Sequence, residues 1–349
     1  MTSLLTQSQP SVSPQLDENI RLRDIIKTLP KEVFIKNPRK AWFKVILTVS
    51  MVALGWAALA VSPWYLLPIL WAFTGTAMTG LFVIGHDCGH RSFSNNNKVN
   101  DFVGHAIFLP LFYPFHGWRI LHNYHHKHTN KLDVDNAWDP FMPEFYETFS
   151  AFEKWGYRQL RGRFWWLGSV VHWAKMHFDW TTFEGKEREQ IRFSSLVVIV
   201  AAIIAFPIAF ATLGVWGVIK FWLLPWLVFH FWMSTFTIVH HTVPNIPFKK
   251  EADWNEAEAQ LSGTVHCDYP RWVEILCHDI NVHIPHHVST GIPSYNLRMA
   301  HQSLKENWGD YLCELRFSWP LMDEITSQCH LYHPETHYQS FSQYYQSKK

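Results

Sequence analysis

The sequence predicts an all-α integral-membrane protein: four transmembrane helices in two hairpins, with a cytosolic helical cap holding a histidine-ligated dinuclear metal site. Three observations carry that expectation. Four apolar runs come in two closely spaced pairs, basic residues gather before and between the pairs, and many of the 22 histidines sit in tight groups.

The first apolar run covers residues 45–61 and stops at Ser62-Pro63, and the second covers 64–85. The third covers 196–213 and, after Gly214, the fourth covers 215–239. Each approaches the roughly 20 residues that a helix needs to cross the hydrocarbon core. Buried helices of a soluble core are the competing reading, but runs this long, joined with almost no loop, suit a globular fold poorly. The two joints carry no Lys or Arg of their own. Arg21, Arg23, Lys27, Lys31, Lys36, Arg39, Lys40 and Lys44 crowd the approach to the first run, and Arg91, Arg119, Lys127, Arg158, Arg161 and Arg163 enrich the segment between the pairs. The positive-inside rule therefore places both termini and the middle segment in the cytosol. Lys220, near the second joint, is a mild dissent that snorkelling to the interface accommodates.

Residues 102–115 include Gly104, Pro110 and Pro114, are too short to span, and read as a re-entrant or interfacial helix. Trp165, Trp166 and Trp173, interleaved with Arg161, Arg163 and Lys175, suggest a second interfacial element. The chain thus divides into a disordered tail at 1–20, a single membrane domain at 21–338 and a C-terminal tail at 339–349. The cap is drawn from 86–195 and 240–338. The N-terminal stretch lacks a continuous apolar core and is expected to be a cytosolic tail, not a signal or transit peptide.

Composition narrows the class. With Lys+Arg at 30 and Asp+Glu at 29, the formal net charge is +1, and the basic footprint of a nucleic-acid binder is missing. Cys88, Cys267, Cys277, Cys313 and Cys329 are odd in number and scattered, which indicates neither a disulfide framework nor a thiolate metal site.

Histidine carries the chemistry. His86 and His90 stand four apart just after the second run, so a continuing helix puts both on one face. His122, His125 and His126 repeat the spacing i, i+3, i+4, and His283, His286 and His287 repeat it again. Pro285 is tolerated in a first helical turn, so that helix should start near Ile284 with His283 just ahead of it. A lone histidine is ordinarily a hydrogen-bonded core or surface group. Eight in three compact clusters are different: protonated together they repel, and neutral together their lone pairs converge, a conflict that a bound cation resolves. Imidazole suits iron, zinc, copper and nickel alike, so ligand type does not choose the metal. H-E-x-x-H is absent, which removes the usual zinc-protease reading, and so is the Glu-x-x-His pattern of soluble di-iron bundles. Eight or nine nitrogens are too many for one ion and fit two.

The order H-x-x-x-H, H-x-x-H-H, H-x-x-H-H, with boxes two and three divided by a hairpin, resembles the membrane fatty acid desaturase family. The likeness runs from about Leu22 to Tyr338. The strings GHDCGHRSF, HNYHHKHTN, NAWDP, GTVHCDYP and HDINVHIPHH are similar to those of the acyl-lipid desaturases of cyanobacteria and plant plastids that introduce the Δ12 (ω6) double bond, the cyanobacterial enzymes above all. The resemblance implies a di-iron centre, two iron ions held by His86, His90, His122, His125, His126, His283, His286 and His287. It also implies a ninth histidine after the fourth span. His241 is the expected one and His240 the fallback. Asp87, Asp133, Asp135, Asp139 and Asp279 are available to orient ligand imidazoles, with Asp87 and Asp279 preferred because they lie inside or beside boxes. His105, His116, His128, His172, His177, His266, His278 and His301 read as interfacial, surface or supporting groups. His230, inside a span, is served equally by a functional role or a hydrogen bond to a neighbouring helix. No catalytic group beyond the metal ligands is identifiable.

Removing hydrogen from an unactivated methylene is beyond amino-acid side chains and needs metal-activated oxygen. The resemblance implies an oxygen-dependent enzyme that inserts a cis double bond into oleoyl chains of membrane glycerolipids. It implies plasma and thylakoid membranes as the location, with the boxes on the cytosolic side. The H-P-G-G motif of a fused haem domain is absent from the chain, so electrons are expected from a separate protein, with ferredoxin implied. Arg158, Arg161 and Arg163 offer a basic surface to an acidic donor, though charge runs commonly serve as solvated surface. A hydroxylase, ketolase or acetylenase on the same scaffold, or an ω3 desaturase, shares the histidine spacing. A membrane metal transporter would place its ligands near the bilayer midplane, whereas these clusters lie outside the spans.

Overall fold

The chain enters through α1 (Leu22–Ile26) and a 3-10 turn at Lys31–Phe34 before its first long helix, α2 (Pro38–Val61). In the computed structural model, which describes residues 16–348, Asn37 starts α2 by accepting from the Arg39 and Lys40 amides, with Pro38 at the first helical position. Ser62-Pro63 ends it, because proline cannot continue the ladder. After the 3-10 turn Trp64–Leu66, α3 (Leu67–Gly89) runs straight into the first histidine pair. α2 therefore begins several residues before the predicted 45, and α3 outlasts the predicted 85.

The stretch expected as one interfacial helix at 102–115 is instead the end of α4 (Asn97–Phe108), a 3-10 turn at Leu109–Leu111 and the start of α5 (Phe115–Lys127). The prolines explain the division. Pro110 sits in the turn, Phe112 takes a left-handed φ of 51°, and Pro114 precedes the first residue of α5. α6 (Pro143–Glu147), α7 (Ala151–Arg161) and α8 (Gly168–Met176) follow, with Trp165–Leu167 as a 3-10 turn before α8.

The second apolar region runs from α9 (Gly185–Val218) through a π-helical turn at Ile219–Leu223 into α10 (Leu224–His241). Among the described residues, three helical stretches are long and apolar enough to cross a membrane: Pro38–Val61, Trp64–Gly89 and the 57-residue Gly185–His241. The last is not straight. Gly214 breaks it with φ 66° and ψ −179°, a conformation open essentially to glycine alone. Phe206 and Trp222, eight residues to either side, meet with ring centroids 4.8 Å apart; on a straight helix they would be separated by ~24 Å. The chain folds back at Gly214.

α3 is the central helix and packs against α2, α4 and α10. Its last turns are buried throughout, and Trp232 of α10 donates to Thr76 of α3 at 2.8 Å. α2 and α9 turn Ile46, Leu54, Ile203, Ile204 and Ile208 outward. An exposed apolar band of that extent suits lipid and not water.

The remainder builds the cap: α11 (Glu256–Leu261), α12 (Arg271–Leu276), α13 (His283–Val288), α14 (Leu297–Trp308), α15 (Trp319–Gln328) and α16 (Phe341–Gln346). It is not all-helical. β1 (Val265–Asp268) pairs in parallel with β2 (Cys313–Arg316), and β3 (Leu331–His333) pairs antiparallel with β4 (His337–Gln339). These segments of three or four residues are too short to announce a period-two pattern. The stretch set aside as a C-terminal tail, 339–349, carries the end of β4 and all of α16, whose Tyr344 is buried against Tyr146. Most of the tail expected at 1–20 lies outside the described residues, but Leu16 is buried in a cluster with Ile25, Val33, Ile284 and Leu297. The N-terminal segment thereby braces the helix of the third box.

Candidate metal centre

Four elements deliver the histidines. His86 occupies the last turn of α3, and His90 follows as its C-cap, its amide bonded to the His86 carbonyl at 3.1 Å. α5 carries His122, His125 and His126, α10 ends on His240 and His241, and α13 opens on His283, one residue earlier than expected, followed by His286 and His287. Pro285 falls in the first turn of α13, where its missing amide removes no hydrogen bond.

The three boxes do not form three separate sites. They redistribute into two groups. His86, His90, His122, His126 and His286 offer donor atoms that all lie within 4.8 Å of one another, and His125, His241 and His287 do the same. His283 joins the second group, its Nε2 2.9 Å from His241 Nε2 and 3.0 Å from His287 Nε2. The groups adjoin where the His126 and His287 rings stack at 4.1 Å. His122, His125 and His126 were expected on a single face. His125 instead faces the second group, as a step of about 100° from its neighbours allows. All nine predicted ligand histidines are brought together. His240 stays outside both groups and stacks on the His283 ring at 4.3 Å.

The donor set fits a bound metal. His126 Nε2 lies 3.1 Å from His122 Nε2 and 2.9 Å from His286 Nε2. A neutral imidazole has one proton to share, so a nitrogen wedged between two others leaves lone pair against lone pair. His125 Nε2 is buried with no partner, as are His86 Nδ1, His90 Nε2 and His283 Nδ1. Burial first, and the neighbouring imidazoles second, hold His122, His126, His283, His286 and His287 well below the ordinary histidine range. They are neutral near pH 7, the state in which imidazole binds metal.

Their supports only partly match expectation. Asp135, from the loop after α5, accepts from His125 Nδ1 at 2.6 Å and is itself pinned by the Asn130 and Ala137 amides. That arrangement fixes the tautomer and leaves Nε2 free. Gln260 of α11 contacts His287 Nδ1 through its oxygen at 2.9 Å and donates from its amide to the His126 carbonyl, bridging boxes two and three. Thr129 donates to the His125 carbonyl. Nothing in the spacing of the boxes pointed to Gln260 or Thr129. Of the two preferred carboxylates, Asp87 accepts from the Ser294 amide and hydroxyl at 3.1 and 2.7 Å, tying the first box to the loop behind the third. Asp279 faces Arg271 and Arg298, not an imidazole. Trp118 stacks on His122 at 4.6 Å and, with Phe82 and Phe108, forms an apolar wall beside the first group.

The other histidines stand apart. His278 meets Thr48 at 2.7 Å, His105 meets Ser194 at 2.9 Å and His230 meets Ser169 at 2.8 Å. His266 and His301 meet each other, beside Glu314. The basic surface expected from Arg158, Arg161 and Arg163 loses its middle member. Arg161 is buried, donating to the Trp138 and Cys329 carbonyls between the Trp138 and Tyr157 rings.

A membrane-associated helical scaffold whose apolar helices end on two groups of converging imidazoles that could bind metal defines a class of histidine-rich membrane enzymes. Comparison with known proteins gives the family: the fatty acid desaturase model matches residues 62–319. The chain belongs to that family and is an oxygen-dependent oxidoreductase. It is 63% identical over 344 residues, 99% of each chain, to the sn-1 oleoyl-lipid 12-desaturase of Picosynechococcus sp.. It is 58% identical over 347 residues to the protein of the same description in Anabaena variabilis, again over 99% of each chain. The chloroplastic omega-6 fatty acid desaturase of Spinacia oleracea is 52% identical over 333 residues, 95% of this chain and 74% of that protein.

Proposed function

We propose that the protein inserts a cis double bond at the Δ12 (ω6) position of oleoyl chains in membrane glycerolipids, using dioxygen and two electrons from ferredoxin. The observation that carries this reading is the convergence of nine histidines into adjacent groups of five and four beside the ends of the apolar helices. The printed descriptions of the cyanobacterial and chloroplast relatives support the substrate and the position. Two iron ions fit the donor count, one held by His86, His90, His122, His126 and His286, the other by His125, His241, His283 and His287. When bound, such a pair supplies the oxygen activation that an unactivated methylene demands.

The chain's own residues do the rest. Asp135 and Gln260 orient His125 and His287, so the donor atoms need little reorganisation to accept metal. Phe82, Phe108 and Trp118 keep water from one flank of the first group. The contacts support a membrane arrangement in which boxes two and three share one side, because His286 touches His126, and the segment from α9 to α10 then crosses an even number of times. With the reversal at Gly214, that reading gives four spans and puts the two turns on the side opposite the cap.

The test is expression in a host that makes oleate but no polyunsaturated lipid and supplies reduced ferredoxin. Fatty acids are profiled by gas chromatography–mass spectrometry with double-bond mapping, beside a His286→Ala control. Linoleate that disappears in the control is the expected result. A hydroxylated chain would replace the desaturation outcome on the same scaffold, and no new lipid from folded, iron-loaded protein would overturn the substrate or donor.

A further inference from the structure

We propose that Lys44 of α2 is a positioning residue for the five-histidine group: acting through Ser294, it holds the Asp87 carboxylate in place and with it the first box. The inference rests on the metal-centre reading above and extends it to a side chain on a different helix from any of the nine histidines.

The contacts meet at the 3-10 turn Ser294–Asn296, shortly after the third box. All three of its residues reach back to the entry of α2. Asn296 donates from Nδ2 to the Val33 carbonyl at 3.0 Å, the Tyr295 hydroxyl accepts from the Asn37 amide at 2.7 Å, and Ser294 Oγ accepts from Lys44 Nζ at 3.0 Å. The Lys40 and Lys44 ammonium groups also lie 5.5 and 5.7 Å from the centroid of the Tyr295 ring. Ser294 in turn bonds to Asp87, which stands between His86 and His90. One turn thus clasps α2, the first box and the chain leaving the third.

The groups involved fix the direction of this chain of hydrogen bonds. An ammonium only donates and an ionised carboxylate only accepts. The Ser294 hydroxyl between them must accept from Lys44 and give its single proton to Asp87 Oδ2, 2.7 Å away. The Ser294 amide adds a second bond to the same oxygen at 3.1 Å. Asp87 is only 7% exposed, and a buried carboxylate needs compensating charge. Lys44 supplies it one hydroxyl away.

The other carboxylate oxygen, Oδ1, lies 3.8 Å from His86 Nδ1, a buried nitrogen with no hydrogen-bond partner. An anion on that side favours the tautomer protonated at Nδ1 and leaves Nε2 to a metal. His86 shares its group with His286, whose helix leads into the same turn. Lys44 therefore sets box one against box three from outside both. Lys40, a turn earlier, shares the Tyr295 ring but stands exposed, and it provides the internal control.

Full-length, iron-loaded protein in lipid nanodiscs is challenged with a ferrous chelator. Retained iron is followed by mass spectrometry, and melting temperature is recorded beside it. The set is wild type, Lys44→Met, Lys44→Arg, Ser294→Ala, Lys44→Met combined with Ser294→Ala, Lys40→Met and His286→Ala. Lys44→Met and Ser294→Ala should each hold iron about 10-fold more weakly, the lower end of what outer partners of ligand histidines contribute. The double variant should be no weaker than either single one, because the two act in one chain. Lys44→Arg should restore most of the retention, and Lys40→Met should match the wild type. Where Lys44→Met does not fold, Ser294→Ala decides by the same criterion. Wild-type retention in Lys44→Met and Ser294→Ala, with iron lost from His286→Ala, overturns the role of Lys44 and leaves the metal centre standing. So do effects that multiply in the double variant, or a lowered melting temperature with unchanged iron, either of which would make Lys44 a packing residue. Equal retention in His286→Ala and the wild type overturns the metal-centre reading, and this role with it.

Discussion

At the scale of single residues, the carboxylates after α5 divide into two kinds. Asp135 is buried, accepts three hydrogen bonds and holds His125 by its Nδ1 proton. Asp135→Asn keeps the shape but offers an amide where an acceptor is needed, so it should lower iron content or activity by about 10- to 100-fold. Asp279→Asn, which loosens only Arg271 and Arg298, should leave iron unchanged; metal analysis of the purified variants checks both. Asp139 behaves differently. Burial, and next the Asp135 charge, push its carboxyl up to about 8. A carboxyl raised above its unfolded value of about 3.9 contributes most below that pH and loses the contribution as pH rises to about 8. Asp139→Asn should therefore flatten stability between those limits and raise the melting temperature at pH 8, read from thermal scans across pH. Eight of the histidines were legible because their close spacing on short helical stretches marks them as clusters, and His241 was legible from the family resemblance; which of them share a group was not, since the spacing set His125 on the face of His122 and His126. Gln260 and the choice of Asp135 over Asp279 were not, because both depend on where a distant helix and a loop return to the site.

At the scale of elements, the reversal between α9 and α10 rests on one residue. Gly214 holds a backbone conformation that other residues reach only at a cost of about 1–3 kcal/mol, and a Cβ added there meets nothing within 4 Å. Gly214→Ala should thus destabilise by that amount through backbone strain alone, measured by denaturation in detergent. Gly156→Ala, equally open but inside α7, should gain up to ~1 kcal/mol from its better helix propensity; loss of stability there would undercut the comparison. The apolar runs and their breaks at Ser62-Pro63 and Gly214 could be read because length and punctuation are local properties. The full helix lengths were less legible, because α2, α3 and α9 extend beyond their apolar runs into polar ends that hydropathy does not register. The strands escaped notice because β1 and β2 find each other only after α12, α13 and α14 have been placed between them.

At the scale of the whole molecule, the contacts between boxes constrain how the chain meets the bilayer. The 57-residue stretch from Gly185 to His241 would be ~86 Å long if straight, nearly three times the roughly 30 Å hydrocarbon core. A single crossing there would also carry the third box away from the second, yet His286 and His126 touch. In the proposed arrangement, two crossings with a turn at Gly214 satisfy both constraints and put that turn on the same side as the turn after α2. Cysteine labelling tests this cleanly, because all five native cysteines are buried. Trp64→Cys and Val215→Cys replace residues 80% and 65% exposed at the two turns, and Glu251→Cys replaces an exposed residue of the cap. An impermeant maleimide should label the first two from one face of the membrane and the third only from the other. Val215→Cys labelled from the same face as Glu251→Cys would mean that α9 and α10 do not cross, and the four-span arrangement would fall while the histidine geometry stood.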